Sequence, residues 1–95
     1  MPYYVYILTN KPHGTLYVGV TNNIARRTFE HREGRIKGFT KKYNLRRLVY
    51  AEAFDNVTTA IENEKRLKRW RRQWKIDLIE NANPNWDDLY ETLNQ

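Results

Sequence analysis

The chain has 95 residues, no cysteine, two histidines, and a formal charge of +6 from 17 basic and 11 acidic side chains; that length suits one domain, over residues 1–95, with a single modest core. Without cysteine there are no disulfides, thiolate metal sites or thiol nucleophiles, and any metal falls mainly to carboxylates, which points to magnesium or manganese. No apolar run is long enough to span a membrane, and the opening "MPYYVYILTN" lacks the length and basic flank of a secretory leader, so a cytoplasmic protein without a membrane partner is expected.

The first element, "YYVYIL" (Tyr3 to Leu8), is aromatic and β-branched throughout and reads as a buried central strand. "NKPHG" (Asn10 to Gly14) turns the chain, and "TLYVGV" (Thr15 to Val20) follows as a second strand, so the pair is expected to form an antiparallel hairpin. Asn22 or Asn23 is placed to cap the next helix. On that helix Ile24, Ala25, Thr28 and Phe29 are expected to face the core, with Arg27 and His31 one turn apart at the border of the stripe.

"EGRIKGFTKKYN" (Glu33 to Asn44) has two glycines and many cations and is expected to be a partly ordered loop anchored by Phe39 and Tyr43. A third strand is expected around Leu48 to Phe54, with Val49, Ala51 and Ala53 on one face. From Val57 to Ala82 no glycine or proline intervenes, so this is one long helix or two meeting near Arg72, with Thr59 and Glu62 as a capping box. Ala60, Glu64, Leu67, Arg71, Trp74 and Leu78 recur at three- or four-residue steps and are expected to point inward. Glu64 stands out there, because a buried carboxylate needs a cation. After the turn "NANPN" (Asn81 to Asn85), Trp86, Leu89, Tyr90 and Leu93 suggest a short amphipathic helix folding back onto the core. The fold class is therefore α/β (α+β), a three-stranded antiparallel sheet flanked by helices.

Fourteen of the 17 cations fall in two patches, Arg32 to Arg47 and Lys65 to Lys75. Such clustering favours a polyanion, with nucleic acid as the leading partner, while a solvated basic face is the plainer account. Arg26, Arg35, Lys37, Lys41, Lys42, Lys68, Arg69 and Arg72 are the expected nucleic-acid contacts. If Tyr6, Tyr17, Arg27 and Glu64 emerge at one edge, they are the parts for phosphodiester hydrolysis. Glu64 would hold a divalent cation, Arg27 would neutralise transition-state charge, and a phenol assisted by His31 would be the base. Each part also has a quieter reading: Tyr6 and Tyr17 as core aromatics, His31 as a surface residue near a helix end, Glu64 as the partner of Arg27 or Lys68, and Gly19 as a strand terminator.

Read as a pattern, "YVY" (Tyr4 to Tyr6), "YVG" (Tyr17 to Gly19) and Arg27 ten residues past Tyr17 closely resemble the GIY-YIG nuclease superfamily. "AIENEKRLKRW" (Ala60 to Trp70) looks like that family's metal-carboxylate helix, and "GFTKKY" and "LVYAE" are similar to its small single-domain bacterial YhbQ-like members. The resemblance implies hydrolysis of a DNA phosphodiester with one magnesium or manganese ion, in DNA repair or recombination. It implies that Tyr6 activates water, Tyr17 orders the water network, Arg27 contacts the scissile phosphate, His31 accepts a proton and Glu64 is the metal ligand. Tyr4 stands where the first motif has glycine, Val20 stands where excision-repair relatives have lysine, and the asparagine some relatives carry beyond the metal glutamate is not placed here. With no room for an appended recognition domain, specificity would come from DNA shape or a protein partner; no oligomeric state is implied. The rival from another class is a non-catalytic nucleic-acid-binding module on the same fold.

Overall fold

The computed structural model describes residues 2–36 and 38–93. Strands β1 (Tyr3–Thr9), β2 (Leu16–Thr21) and β3 (Arg47–Phe54) form an antiparallel sheet in the order β2-β1-β3, with helices α1 (Ile24–Arg32), α2 (Phe39–Lys42), α3 (Val57–Arg69), α4 (Arg72–Ala82) and α5 (Tyr90–Leu93) around it. β1 is central because its apolar run has to be covered on both faces: Val5, Tyr6, Ile7 and Leu8 are all buried. Each fully buried aliphatic side chain there contributes roughly 1.5–3 kcal/mol. On one face Val5, Ile7, Val18 and Tyr50 pack with Ala60 and Leu67 of α3 and Ile76 and Ile79 of α4. On the other, Tyr6, Leu8 and Leu48 pack with Ile24 of α1, with Leu45, and with Leu89 and Leu93 near the C-terminal end. Among the described residues no helix is long and apolar enough to cross a membrane.

Strand β3 departs from strict alternation. Ile7 pairs with Tyr50 while Leu8 pairs with Leu48, so Val49 is the extra residue of a bulge. Val49 therefore joins Tyr50 in the core under α3 and α4, apart from the Ala51 side on which alternation had placed it. The chain after α4 straps the outer edge of β3 at this bulge. Asn83 Nδ2 donates to the Val49 carbonyl at 3.1 Å and to the Asp87 carbonyl at 2.9 Å. Leu48 N donates to Asp88 Oδ1 at 3.2 Å, and Leu89 N donates to the Leu48 carbonyl at 2.7 Å. The edge that an antiparallel sheet would leave open is thereby blunted.

That strap replaces the amphipathic helix expected from Trp86. Trp86 is buried in the α3–α4 core with a left-handed φ of 56°, whereas Leu89 and Leu93 belong to the opposite core, and only Tyr90–Leu93 is helical. A left-handed backbone at a bulky residue costs about 1–2 kcal/mol, offset by burial of the indole and its Nε1 bond to Glu80 Oε2 at 2.8 Å.

Tertiary context decides the other local expectations, and of the two readings of the segment after Val57 it selects two helices meeting near Arg72. The long helical segment breaks into α3 and α4 at Trp70 and Arg71, whose ψ values of 148° and 149° are extended. The break resets the helical phase: Ala60 and Leu67 stay inward, but beyond it Ile76 and Ile79 face the core while Arg71 and Trp74 are exposed. α3 begins earlier than the capping-box reading has it, with Asn56 accepting from Thr58 N and Thr59 N at 2.7 and 3.3 Å. In α1, capped by Asn23, the buried positions are Ile24, Thr28 and His31; Phe29 is 40 % exposed, with the Arg35 guanidinium over its ring. Phe39 and Tyr43 are exposed too, and the segment is pinned by buried Thr40 and Leu45.

Candidate active site

The site begins with a missing side chain. Tyr6 leaves β1 on the same face as Tyr17, its residue pair on β2 is Gly19, and its ring crosses directly over that glycine. A Cβ at Gly19 would stand 2.5 Å from both Cζ and Oη of Tyr6. The backbone at Gly19 needs no unusual φ, so the requirement is steric: only glycine lets the phenol lie flat across the edge strand. Tyr17, two residues earlier on β2, brings its ring centroid to 6.4 Å from that of Tyr6.

Helix α1 supplies the third ring. His31, 5 % exposed, lies 6.1 Å from Tyr6 and 5.9 Å from Tyr17 between ring centroids, and its Nε2 is 3.4 Å from the Tyr6 hydroxyl. Its Nδ1 is 3.1 Å from Thr40 Oγ1. The tautomer that donates Nδ1–H to Thr40 leaves Nε2 free to accept from the Tyr6 O–H. Thr40 is a positioning residue that sequence reasoning missed; the only trace was a hydroxyl between the aromatic and the lysines of "GFTKKY". Phe39 stacks on Tyr17 with centroids at 6.4 Å.

Burial sets the protonation states. It pushes the Tyr6 phenol well above its usual value near 10, assisted by Tyr17, while Arg27 pulls the other way and Glu64 and Glu30 add to the rise. The protein alone therefore does not bring this phenol toward neutrality, because desolvation outweighs the half-buried Arg27 guanidinium. His31 is lowered to about 4, first by burial and then by Arg27, with Glu30 opposing. At neutral pH the pair is thus a protonated phenol beside a neutral imidazole.

A pH dependence of stability follows. Between about 4 and 6.5 the unfolded His31 binds a proton that the folded one resists, so stability is complete above 6.5 and declines as the pH falls toward 4. The loss is on the order of 2–3 kcal/mol. Thermal melts across this range should show that slope in the parent and a shallower one in His31→Gln; identical slopes would contradict it.

Arg27 approaches from the β2 edge. Arg27, half-buried on α1, lines a cleft of about 270 Å³ with Thr21, Asn22 and the first turns of α3 at Val57 and Ile61. Among the described residues it has no carboxylate within ion-pair distance, so its charge is spent on Tyr6 and His31. Glu64 lies farther along α3 with its side chain 14 % exposed, paired with Lys68 Nζ at 3.1 Å. Of the two partners the sequence allowed, the structure selects Lys68. No three His, Asp or Glu side chains converge on a metal position among the described residues. A lone, mostly buried carboxylate still suits magnesium or manganese, which keep most of their water shell and take further oxygens from substrate phosphates.

The predicted nucleic-acid contacts fall in two groups. Arg26, Arg35, Lys41 and Lys42 are exposed on or beside α1 and α2, around the layer that holds His31 and Thr40; Lys37 lies outside the described residues. Arg69 is exposed near the end of α3, and Lys68 holds Glu64. Arg72 also braces the hairpin turn, donating from Nη2 to the carbonyls of His13 and Gly14 at 2.6 and 2.7 Å.

Comparison with known proteins places the chain in a family. Residues 2–77 match the family model described as the GIY-YIG catalytic domain. A UPF0213 protein of Staphylococcus saprophyticus is 36 % identical over 77 residues, covering 81 % of this chain and 93 % of the relative. Another from Clostridium perfringens is 33 % identical over 91 residues, covering 96 % and 97 %. The solution NMR structure of a UPF0213 protein from Bacillus halodurans superposes with a TM-score of 0.58 at 30 % identity, covering 93 % of each chain. On the match over residues 2–77 and the likeness to these relatives, the chain belongs to the GIY-YIG family, within the YhbQ-like UPF0213 group.

Proposed function

We propose that the protein is a divalent-metal-dependent endonuclease that hydrolyses phosphodiester bonds in DNA. The observation that carries this reading is the buried Tyr6–His31 contact, packed beside Tyr17 over Gly19 and under the charge of Arg27. What supports the reading is a neutral imidazole held against a phenol in the field of a guanidinium that has no ion pair among the described residues.

In this reading a water donates its proton to the Tyr6 oxygen as the phenolic proton passes to His31 Nε2. With Thr40 accepting from Nδ1–H, the imidazole presents Nε2 as the acceptor. Burial and Arg27 disfavour the imidazolium, so the proton rests there briefly and returns to solvent or the leaving oxygen. Tyr17 orients the water, and Arg27 stabilises the charge that builds on the phosphate oxygens. Glu64 would hold magnesium or manganese, which supplies Lewis-acid polarisation of the phosphate. The chain works as one domain, in the cytoplasm, in DNA repair or recombination.

A second reading, a nucleic-acid-binding module without catalysis, draws on the Glu64–Lys68 ion pair, since an engaged carboxylate is a poorer metal ligand. Strand cleavage of supercoiled and branched DNA with magnesium, manganese or chelator separates the two. Metal-dependent cleavage is expected; salt-sensitive binding without cleavage under any metal would favour the module.

A further inference from the structure

The break between α3 and α4 leaves an aromatic surface that the active site does not use. Trp74 is 50 % exposed, because α4 turns Ile76 and Ile79 to the core and has no inward place for the indole. Trp70, half-buried, meets it edge to face with centroids at 6.0 Å and an interplanar angle of 88°, and the Arg71 guanidinium lies 5.5 Å from the Trp74 ring centre. Trp70 lines two adjoining clefts. One, of about 290 Å³, is bordered by Lys65, Arg66 and Arg69 with Glu62; the other, of about 430 Å³, is bordered by Trp74, Leu78, Asn81 and Asp77.

Charge distinguishes this face from an ordinary apolar patch. Lys65, Arg66, Arg69 and Arg71 are exposed, and among the described residues none is ion-paired with a carboxylate. Two indoles set among unneutralised cations offer stacking planes and phosphate contacts together. A duplex keeps its base faces stacked inside the helix, so only unpaired bases can use the indoles.

We propose that the α3–α4 elbow is a binding surface for unpaired nucleic acid, with a base stacked on Trp74 and neighbouring phosphates on Lys65, Arg66 and Arg69. Trp70 caps the helix that carries Glu64, six residues on, an axial rise of about 9 Å, so a strand held here lies within a few nucleotides of the candidate active site. The surface acts through binding alone and does not require the cleavage reading.

The test is fluorescence anisotropy of a short labelled oligothymidylate and of a blunt duplex of equal length. Each is titrated with the full chain in chelator, comparing the parent with Trp74→Ala and Trp74→Phe. Trp74→Ala should weaken single-strand binding by about tenfold and leave duplex binding within about twofold, while Trp74→Phe keeps most of the affinity. Thermal melts should be nearly unchanged, since the side chain is exposed. Equal loss for both nucleic acids, loss for neither, or tighter binding of an acidic polyglutamate peptide than of the oligonucleotide would overturn the proposal. Because no metal is present, such a failure leaves the nuclease reading standing, and absence of cleavage leaves this surface standing.

Discussion

Glu64→Ala is expected to lower metal-dependent strand cleavage by at least about a thousandfold, with DNA affinity within about threefold of the parent. Loss of fold would not account for such a drop, because the Glu64–Lys68 pair is an i,i+4 contact worth about 0.5 kcal/mol or less. Nor would loss of basicity at Tyr6: Glu64 raises the pKa of that phenol, so its removal eases ionisation. The remaining cause is loss of the oxygen that would hold the metal. Glu64→Gln, which keeps shape and removes charge, should fall nearly as far, and more manganese should recover part of its activity but none in Glu64→Ala. Undiminished cleavage by Glu64→Ala in magnesium would sink the assignment of this carboxylate. A melting temperature lowered by many degrees would show that the pair matters more to the fold than its geometry indicates.

Gly19→Ala should damage both the fold and the candidate site. Its Cβ would stand 2.5 Å from the Tyr6 ring tip, and that ring is buried between β2, Tyr17 and His31, with no flexible end to swing aside. Overpacking of this kind costs about 3 kcal/mol, and a hydroxyl displaced by about 1 Å should reduce cleavage by roughly a hundredfold. A double-mutant cycle supplies the control. Tyr6→Leu removes the ring tip, so Gly19→Ala should cost far less in that background, giving a coupling energy of about 2 kcal/mol. Additive losses in thermal or denaturant unfolding would mean that Gly19 is needed for some reason other than the passage of Tyr6.

Much of this site was legible along the chain because it is built on short periods. The tight turn made β1 and β2 a hairpin and so put Tyr6 and Tyr17 on adjacent strands, and four-residue spacing put Arg27 and His31 on neighbouring turns of α1; that the two phenols share a face was a condition the register had to meet. Glu64 stood out as a carboxylate on an apolar stripe, and it is indeed mostly buried. Less legible was the phase of each helix. In α1 the inward arc runs through Ile24, Thr28 and His31, which excludes Phe29 despite its apolar ring, because the histidine and threonine are satisfied by Thr40 and by the Ile24 carbonyl. Polar residues with partners displaced an apolar one from the interior.

Sequence alone determined the three strands, with an aromatic β-branched run that demanded the central place, the β1–β2 hairpin, two basic patches, and a family resemblance that comparison bears out. Tertiary structure alone decided the bulge at Val49, the break at Trp70 and Arg71, the strap from Asn83 to Leu89 and the direction of the Tyr6 shift. The reason is one of range. Propensity and periodicity act over a turn or a strand, whereas desolvation, edge capping and the phase of a helix after a break depend on what residues distant in the chain place against it.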